Sequence, residues 1–287
     1  MSRIAYVNGR YVPHTDATVS VEDRGFQFAD GIYEVISIYN GHYVDEIPHL
    51  DRWDRSLAAL SLPPAMPRVA MRQAMARMIR RNRVRDGILY MQLTRGTARR
   101  DAPFPTRPTR PSFVMTARNQ NLPAVAQVEA GGSLLSVPEI RWKRCDVKSV
   151  ALLPNVLAKQ KAREHGASEA LFVRDEDGIV TEGGSTNAFM VSAEGTLVTH
   201  PTGNAILGGI TRDRVLQLAR ASGLTVEERP FTLEEAKSAR EVFITSTTMA
   251  VMPIVQIDNA VIANGQSGSN SLNLHRLYHE FCTAEGI

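Results

Sequence analysis

One lysine stands in a stretch of the chain whose residue types suit amine chemistry. Lys148 lies in Arg144-Cys-Asp-Val-Lys-Ser149, and it is one of only five lysines in 287 residues. An amine that attacks a carbonyl must first lose its proton, and burial beside apolar or cationic groups favours the neutral form. Most isolated lysines lie on the surface, so the residue alone is a weak signal. We predict that Lys148 projects from a strand end or short turn.

Short strands and helices must position this lysine. In the first half, turn residues Asn8-Gly9 and Asn40-Gly41 predict two β-hairpins, because each pair separates alternating apolar runs. Helices are predicted over residues 48–60 and 69–81, and buried strands over 89–93 and 112–116. The segment 99–111 between those strands contains four prolines, which predicts a long loop. Long loops often carry functional residues.

The second half predicts a mixture of strands and amphipathic helices. Strands are expected over residues 170–173, 189–191 and 242–245, and helices over 155–165, 211–221 and 271–285. Gly166 is typical of a helix end, and Thr232 with Glu235 forms a capping-box pattern. The periodic pattern of apolar residues is interrupted over 117–125, which predicts a linker. We therefore expect a small N-terminal α/β domain over 1–120 and a larger C-terminal domain over 121–287.

Composition excludes several classes of function. Hydrophobic residues make up 43% and charged residues 22%, and the net charge is only +3, as in ordinary globular proteins. The arginine-rich run 78–85 has no interleaved aromatic residues, so nucleic-acid binding is not expected. Cys145 and Cys282 lie far apart and match no CxxC, zinc or haem spacing, which favours reduced thiols in the cytoplasm and no metal site. Neither a signal peptide nor a membrane span is expected.

Seven blocks, in order along the chain, resemble the fold-type-IV pyridoxal 5'-phosphate (PLP) enzymes. This group contains D-amino acid aminotransferases, branched-chain aminotransferases and aminodeoxychorismate lyases. The blocks cover residues 23–35, 49–53, 146–149, 153–162, 181–187, 209–212 and 246–248. The Tyr33-Glu34-Val35 form of the first block and the long block after Lys148 look closest to D-amino acid aminotransferase. The resemblance implies an α/β (α+β) protein with the two-domain D-amino acid aminotransferase-like fold, whose C-terminal domain binds the cofactor.

The same resemblance assigns roles to two residues. Lys148 matches the lysine that joins covalently to the cofactor aldehyde and then shuttles a proton during turnover. Glu182 matches the carboxylate that pairs with the pyridine nitrogen and keeps it protonated. Without the resemblance, Glu182 in Thr-Glu-Gly-Gly would pass as a turn residue.

A larger set of residues is implied to hold the rest of the cofactor. The phosphate needs positive charge and inward-pointing N–H groups, which a helix N-terminus supplies. Leu207 matches the apolar residue that packs against one face of the ring. The residues implied to bind the phosphate are Arg52, Ser185, Thr186, Ile210, Thr211, Thr247 and Thr248.

The substrate end departs from the family pattern. D-amino acid aminotransferases bind the substrate carboxylate with an Arg-x-His pair on the proline-containing loop and a tyrosine near the first block. Tyr33 and Arg100 match two of these residues, but Ala102 occupies the histidine position. Either Arg100 suffices, or Arg99 or Arg24 assists, or the substrate differs. In relatives this loop reaches the active site of the partner subunit, which implies a homodimer.

The leading hypothesis is D-amino acid transamination, typified by D-alanine and 2-oxoglutarate giving pyruvate and D-glutamate in two ping-pong half-reactions. Alternatives are an (R)-amine transaminase, an L-branched-chain aminotransferase and, further away, aminodeoxychorismate lyase or a non-catalytic PLP-binding module. Because Ala102 removes a carboxylate donor, the (R)-amine transaminase is the strongest competitor. Side-chain preference does not follow from the sequence.

Overall fold

The computed structural model describes residues 3–285, which form two compact units. The first unit contains the described residues up to Asn121, the segment Val147–Ala151 and the end of the C-terminal helix from Thr283. The second unit contains Leu122–Asp146 and Leu152–Cys282. The segment that carries Lys148 therefore belongs to the first unit, although the sequence on both sides of it belongs to the second.

A six-stranded antiparallel sheet forms the centre of the first unit. Its strands are β1 (Ile4–Val7), β2 (Arg10–Pro13), β3 (Gly31–Tyr39), β4 (His42–Tyr43), β5 (Gly87–Thr94) and β6 (Ser112–Asn119). The spatial order is β2-β1-β6-β5-β3-β4. Asn8 and Asn40 have φ angles of 51° and 49°, and the glycine after each is also at positive φ. That conformation suits two-residue hairpin turns, so both predicted hairpins are confirmed.

Three helices accompany this sheet: α1 (Arg24–Phe28), α2 (Glu46–Ala59) and α3 (Arg68–Asn82). Helix α2 buries Leu50, Trp53 and Leu57 on one face, and α3 buries Met75 and Met78. These side chains form one apolar cluster with the inward face of β3. The burial of this face holds α2 and α3 on the sheet.

The second unit is built on a mixed nine-stranded sheet. Its spatial order is β12-β11-β10-β13-β14-β7-β8-β9, with β15 paired to β14. The strands are β7 (Gly132–Pro138), β8 (Glu169–Val173), β9 (Val180–Gly183), β10 (Asn187–Val191), β11 (Leu197–Thr199), β12 (Val226–Glu228), β13 (Glu241–Ser246), β14 (Ala250–Ile257) and β15 (Ala260–Val261). The helices are α4 (Val125–Ala130), α5 (Leu153–Glu164), α6 (Ile210–Ala221), α7 (Leu233–Lys237) and α8 (Ser269–Glu285). Both faces of the sheet carry helix-covered apolar side chains.

The long periodic elements lie where the sequence predicts them, with ends shifted by at most three residues. The capping box of Thr232 and Glu235 is present at the start of α7. The predicted pause over 117–125 is too wide, because β6 extends to Asn119 and α4 begins at Val125. Among residues 3–285, no helix is long and apolar enough to cross a membrane.

Candidate active site

Lys148 lies beside strand β3 in the first unit. The Lys148 carbonyl accepts a hydrogen bond from the Tyr33 amide at 3.0 Å, and the next residue forms a bridge with Ile32. The Lys148 amine is 4.3 Å from the centre of the Tyr33 ring. It makes no ion pair with any residue between 3 and 285, and it is half-buried. The first unit thus brings two predicted site residues together, the amine and the substrate tyrosine.

Arg52 is held by the buried carboxylate of Glu34, a residue to which the sequence blocks assign no role in the site. Its Nε and Nη2 atoms donate to the two oxygens of Glu34 at 2.9 and 2.6 Å. His49, one turn earlier on α2, lies 3.0 Å from the same carboxylate. Burial alone would raise the pKa of Glu34, but Arg52 and His49 outweigh it and lower that pKa. A fixed, charged guanidinium at this place suits a phosphate.

A sequence signal for Glu34 does exist. Strand β3 alternates, and Glu34 occupies the inward phase together with Ile32 and Ile36. A charged residue at a core position of an alternating strand must find a partner inside the protein. The partner itself, 18 residues later on another element, does not follow from the strand pattern.

The loop that carries Arg100 connects β5 to β6, as predicted. Arg100 is exposed, and its guanidinium carbon is 4.8 Å from the centre of the Phe28 ring. Among the described residues it makes no hydrogen bond or ion pair with Tyr33 or Lys148. Ala102 is also exposed. The structure disfavours Arg24 as a direct donor to the substrate carboxylate, because Arg24 is 2% exposed and its guanidinium binds Asp30 and the loop backbone; it can assist Arg100 only by holding the loop.

Glu182 is the centre of a buried polar cluster in the second unit. Its Oε2 atom accepts hydrogen bonds from Asn187 at 3.0 Å and from the Leu207 amide at 3.1 Å. Its other oxygen pairs with the Arg141 guanidinium. Burial raises the pKa of the Glu182 carboxyl, and Arg141 opposes that rise. The carboxylate is therefore fixed in direction by three donors.

Arg141 is a second site residue that no sequence motif indicates. Besides Glu182, it binds Glu139 at 2.6 Å, and its side chain is only 6% exposed. Thr181 donates to the same Glu139 carboxylate at 2.7 Å. Because Arg141 and Glu182 are 41 residues apart, no local pattern connects them. An arginine in an irregular stretch is ordinarily exposed to solvent, so the sequence around Arg141 predicts a surface residue and not a site residue.

The N-terminus of α6 offers a set of donors suited to a phosphate. Gly209 is the residue before the helix, and the amides of Ile210 and Thr211 begin its first turn. Such amides have no acceptor within their own helix and carry the positive end of its dipole. A Cβ on Gly209 would lie 1.9 Å from Asn187 Oδ1, so Asn187 would have to move if this residue carried a side chain. The predicted helix start is confirmed to within one residue.

The remaining predicted phosphate residues differ in their surroundings. The hydroxyl of Ser246, the last residue of β13, is 3.4 Å from that of Thr248 in the following turn, which also contains Thr247. Ser185 is exposed and bonds to Glu169 and Lys159. The buried hydroxyls of Thr186 and Thr245 have no hydrogen-bond partner among the described residues. Unpartnered buried donors favour a polar group bound nearby.

Taken unit by unit, these residues fit pyridoxal 5'-phosphate. The first unit supplies an amine beside an aromatic ring, without an ion-pair partner in the described chain, and a fixed guanidinium. The second unit supplies an oriented carboxylate, amides at a helix N-terminus, and buried hydroxyls without a hydrogen-bond partner among the described residues. These groups complement an aldehyde, a phosphate and a ring nitrogen. The assignments of individual residues remain predictions.

Comparison with known proteins agrees with this chemistry. Residues 31–257 match the family described as Amino-transferase class IV. A D-alanine aminotransferase from Listeria innocua is 39% identical over 280 residues, which cover 96% of this chain and 94% of that protein. One from Staphylococcus epidermidis is 38% identical over 282 residues, covering 98% and 99%.

Solved structures give the same family at lower identity. A branched-chain amino acid aminotransferase designated T.th., solved with pyridoxamine 5'-phosphate, is 25% identical, has a TM-score of 0.90, and is matched over 99% of this chain and 95% of that one. A branched-chain aminotransferase from Thermoproteus uzoniensis, solved with norvaline, is also 25% identical, with a TM-score of 0.85 and coverage of 99% and 96%. The chain belongs to the class IV aminotransferase family.

Proposed function

We propose that this protein is a PLP-dependent D-amino acid transaminase that moves an amino group from D-alanine to 2-oxoglutarate. The observation that carries the proposal is the near full-length similarity, at 38–39% identity, to D-alanine aminotransferases. The branched-chain aminotransferases of similar structure are more distant, at 25% identity. The roles below extend the resemblance to the residues of this chain.

Lys148 and Glu182 are the proposed centre of the chemistry. When bound, PLP supplies an electron sink that stabilises negative charge at the substrate α-carbon. The Lys148 amine holds the cofactor and then carries the proton removed from that carbon. The amine lies 4.3 Å from the centre of the Tyr33 ring and pairs with no carboxylate of the described residues. Glu182, fixed by Asn187 and the Leu207 amide, holds a proton at the ring nitrogen.

The proposed phosphate ligands divide into charged and neutral donors. Arg52 supplies the charge, and its orientation comes from Glu34. The neutral donors are the amides of Ile210 and Thr211 and the hydroxyls of Ser185, Thr186, Thr247 and Thr248. Leu207 covers one face of the ring. Several donors from fixed elements hold a phosphate with little loss of entropy on binding.

Tyr33 and Arg100 are the proposed binders of the substrate carboxylate. Ala102 donates nothing with its side chain, so the clamp has one donor fewer than the family pattern. This observation favours one second candidate, an (R)-amine transaminase, whose substrates lack the carboxylate. The two candidates differ in a measurable way, because a D-amino acid transaminase must prefer substrates that carry the carboxylate.

The test uses half-reactions of the purified holoenzyme. D-alanine should discharge the visible cofactor absorbance far faster than L-leucine or (R)-1-phenylethylamine. Lys148→Ala should abolish that reaction, whereas Lys143→Ala, at an exposed lysine nearby, should leave it unchanged. Faster reaction with (R)-1-phenylethylamine than with D-alanine contradicts the proposal and supports the second candidate. Transamination by Lys148→Ala contradicts the assignment of the amine.

We further propose a homodimer and a cytoplasmic location. The dimer follows from the resemblance, in which the Arg100 loop serves the partner subunit. The location is supported by Cys145 and Cys282, which are buried and form no disulfide within the described part of the chain. Sedimentation equilibrium of the purified protein and fractionation of the cells that produce it test the two proposals.

A further inference from the structure

A single carboxylate in the first unit binds two buried arginines. Asp30 Oδ2 accepts from Arg24 Nε at 2.8 Å and from Arg95 Nε at 2.7 Å. Its Oδ1 atom accepts from Arg95 Nη2 at 3.1 Å. The side chains of Asp30, Arg24 and Arg95 are 11%, 3% and 8% exposed. Because two buried guanidinium groups share one carboxylate, their remaining N–H groups require further hydrogen-bond acceptors inside the protein.

The further acceptors of Arg24 are backbone carbonyls of the Arg100 loop. Nη1 donates to the carbonyl of Asp101 at 2.5 Å, and Nη2 donates to that of Ala102 at 3.0 Å. These are the carbonyls of the two residues that directly follow Arg100. A guanidinium that binds two consecutive carbonyls fixes the chain direction at that point.

Arg95 ties down the rest of the same loop. Its guanidinium carbon is 3.6 Å from the centre of the Phe104 ring, and its carbonyl accepts from the Thr109 hydroxyl at 2.6 Å. The next residue, Gly96, lies so close to the loop that a Cβ there would be 2.0 Å from the Arg110 carbonyl. The proline-rich loop contains no β-strand whose hydrogen bonds could hold its backbone, so these contacts with Arg95 and Gly96 fix its conformation.

The Asp23-Arg-Gly segment at the start of α1 places Arg24. Asp23 caps the helix by accepting from the Gly25 amide at 2.8 Å, and it also accepts from the Thr94 hydroxyl at 2.9 Å. A Cβ on Gly25 would lie 2.1 Å from Thr94 Cγ2. The motif therefore joins α1 to the end of β5. Helix α1 also ends at Phe28, whose ring contacts both Arg24 and Arg100.

We propose that Asp30, Arg24 and Arg95 form a loop anchor that fixes the backbone after Arg100 and thereby sets the affinity for the substrate carboxylate. The second half of this statement rests on the proposed function. All three are positioning residues, since none needs to touch the substrate. With alanine at position 102, the clamp depends on a correctly placed Arg100, and the anchor compensates for the missing donor by limiting where Arg100 can go.

The test compares two variants of the holoenzyme. Arg24→Gln removes the bonds to the loop but leaves the Asp30–Arg95 pair intact. Arg107→Gln removes one positive charge from an exposed position of the same loop and is the matched control. For Arg24→Gln we expect faster hydrogen exchange over residues 97–111 and a KM for D-alanine raised about tenfold, with kcat nearly unchanged. Arg107→Gln should change neither.

The outcomes separate the anchor from the proposed function. Unchanged loop exchange in Arg24→Gln overturns the anchor, and so does a KM no higher than that of Arg107→Gln. Absence of D-amino acid turnover in the wild type overturns the proposed function, while loop exchange still decides whether Arg24 holds the loop. If Arg24→Gln does not fold, Phe104→Ala decides, because it removes the ring that the Arg95 guanidinium contacts and lies at a 58% exposed position. Unchanged exchange in that variant also overturns the anchor.

Discussion

Arg141 shows how a residue outside the recognised blocks can govern one inside them. Burial raises the pKa of Glu182, while the Arg141 guanidinium lowers it. The ionised form is the one that can pair with a protonated ring nitrogen. Arg141 therefore keeps Glu182 in the useful form over a wider range of pH, although its own charge is then buried between two carboxylates.

Replacing Arg141 tests this balance. In Arg141→Met, burial of Glu182 loses its strongest opposing group and only weaker donors such as the Leu207 amide remain, so its pKa rises further and the carboxylate forms only at higher pH. The acidic limb of the kcat/KM profile should move to higher pH, and the free energy of unfolding should fall by about 3–5 kcal/mol. Arg144→Gln, at an exposed arginine paired with Asp146, is the control and should change neither. An unmoved acidic limb means that Arg141 does not control Glu182.

Glu34 makes the stability of the first unit depend on pH. Although burial would raise its pKa, Arg52 and His49 lower it below the ordinary value of 4.5. The unfolded chain therefore binds a proton that the folded chain excludes. This contribution is complete above pH 4.5 and is lost as the pH falls below it.

Glu34→Gln should remove that dependence. We expect the variant to be less stable at pH 7 by about 3–5 kcal/mol, because Arg52 loses its buried partner. Its stability should also fall less than that of the wild type between pH 7 and pH 4. Urea denaturation at both pH values measures this. Glu46→Gln, which breaks the surface pair with Arg72, should cost about 0–1 kcal/mol. Equal pH dependence in wild type and Glu34→Gln rules out this role.

At the scale of elements, the start of α6 connects the phosphate ligands to Glu182. Asn187 donates from one amide group to Glu182 and to the Leu207 carbonyl, while its Oδ1 atom packs against Gly209. Gly209→Ala would push Asn187 aside and disturb both the carboxylate and the helix N-terminus. The Kd of the apoenzyme for PLP should rise about tenfold, as expected for lost bonds to charged groups.

Gly203→Ala is the control for Gly209→Ala. No atom lies within 4 Å of a Cβ built at Gly203. Its PLP affinity should match the wild type, as measured by titrating the apoenzyme. Wild-type affinity in Gly209→Ala would show that the close contact with Asn187 relaxes freely.

The elements that the sequence predicts are those whose signals are local. Hairpins at Asn8-Gly9 and Asn40-Gly41, and helices with an apolar stripe, depend on a few adjacent residues. Helix α1 escapes prediction because five residues cannot show a period, and β7 because its burial does not alternate. The pairs Arg141–Glu182 and Arg52–Glu34 join distant residues. Only folding brings these together, so the sequence could name Glu182 and Arg52 without naming their partners.

At the scale of the whole molecule, the two proposed domains, 1–120 and 121–287, divide the chain once. A single boundary in the sequence does not separate the two structural units, because the segment Val147–Ala151 packs with the first unit. Val147 is 5% exposed and belongs to the apolar cluster of that unit. The Tyr33 and Val150 amides bond across to the Lys148 and Gly31 carbonyls at 3.0 and 3.1 Å. The proposed catalytic lysine is thus carried by a segment that returns to the first unit.

Val147→Ala in the full chain tests that assignment. Loss of two buried methyl groups should destabilise the first unit by about 2 kcal/mol. Hydrogen exchange should then rise in β3 and β5, where protection depends on this cluster, and stay unchanged in β10 and β13. Ile140→Ala, at a residue 58% exposed and seven positions earlier, should alter neither set of strands. Faster exchange confined to β10 and β13 would place the Val147 segment energetically with the second unit, and the lysine would then owe its position to that unit instead.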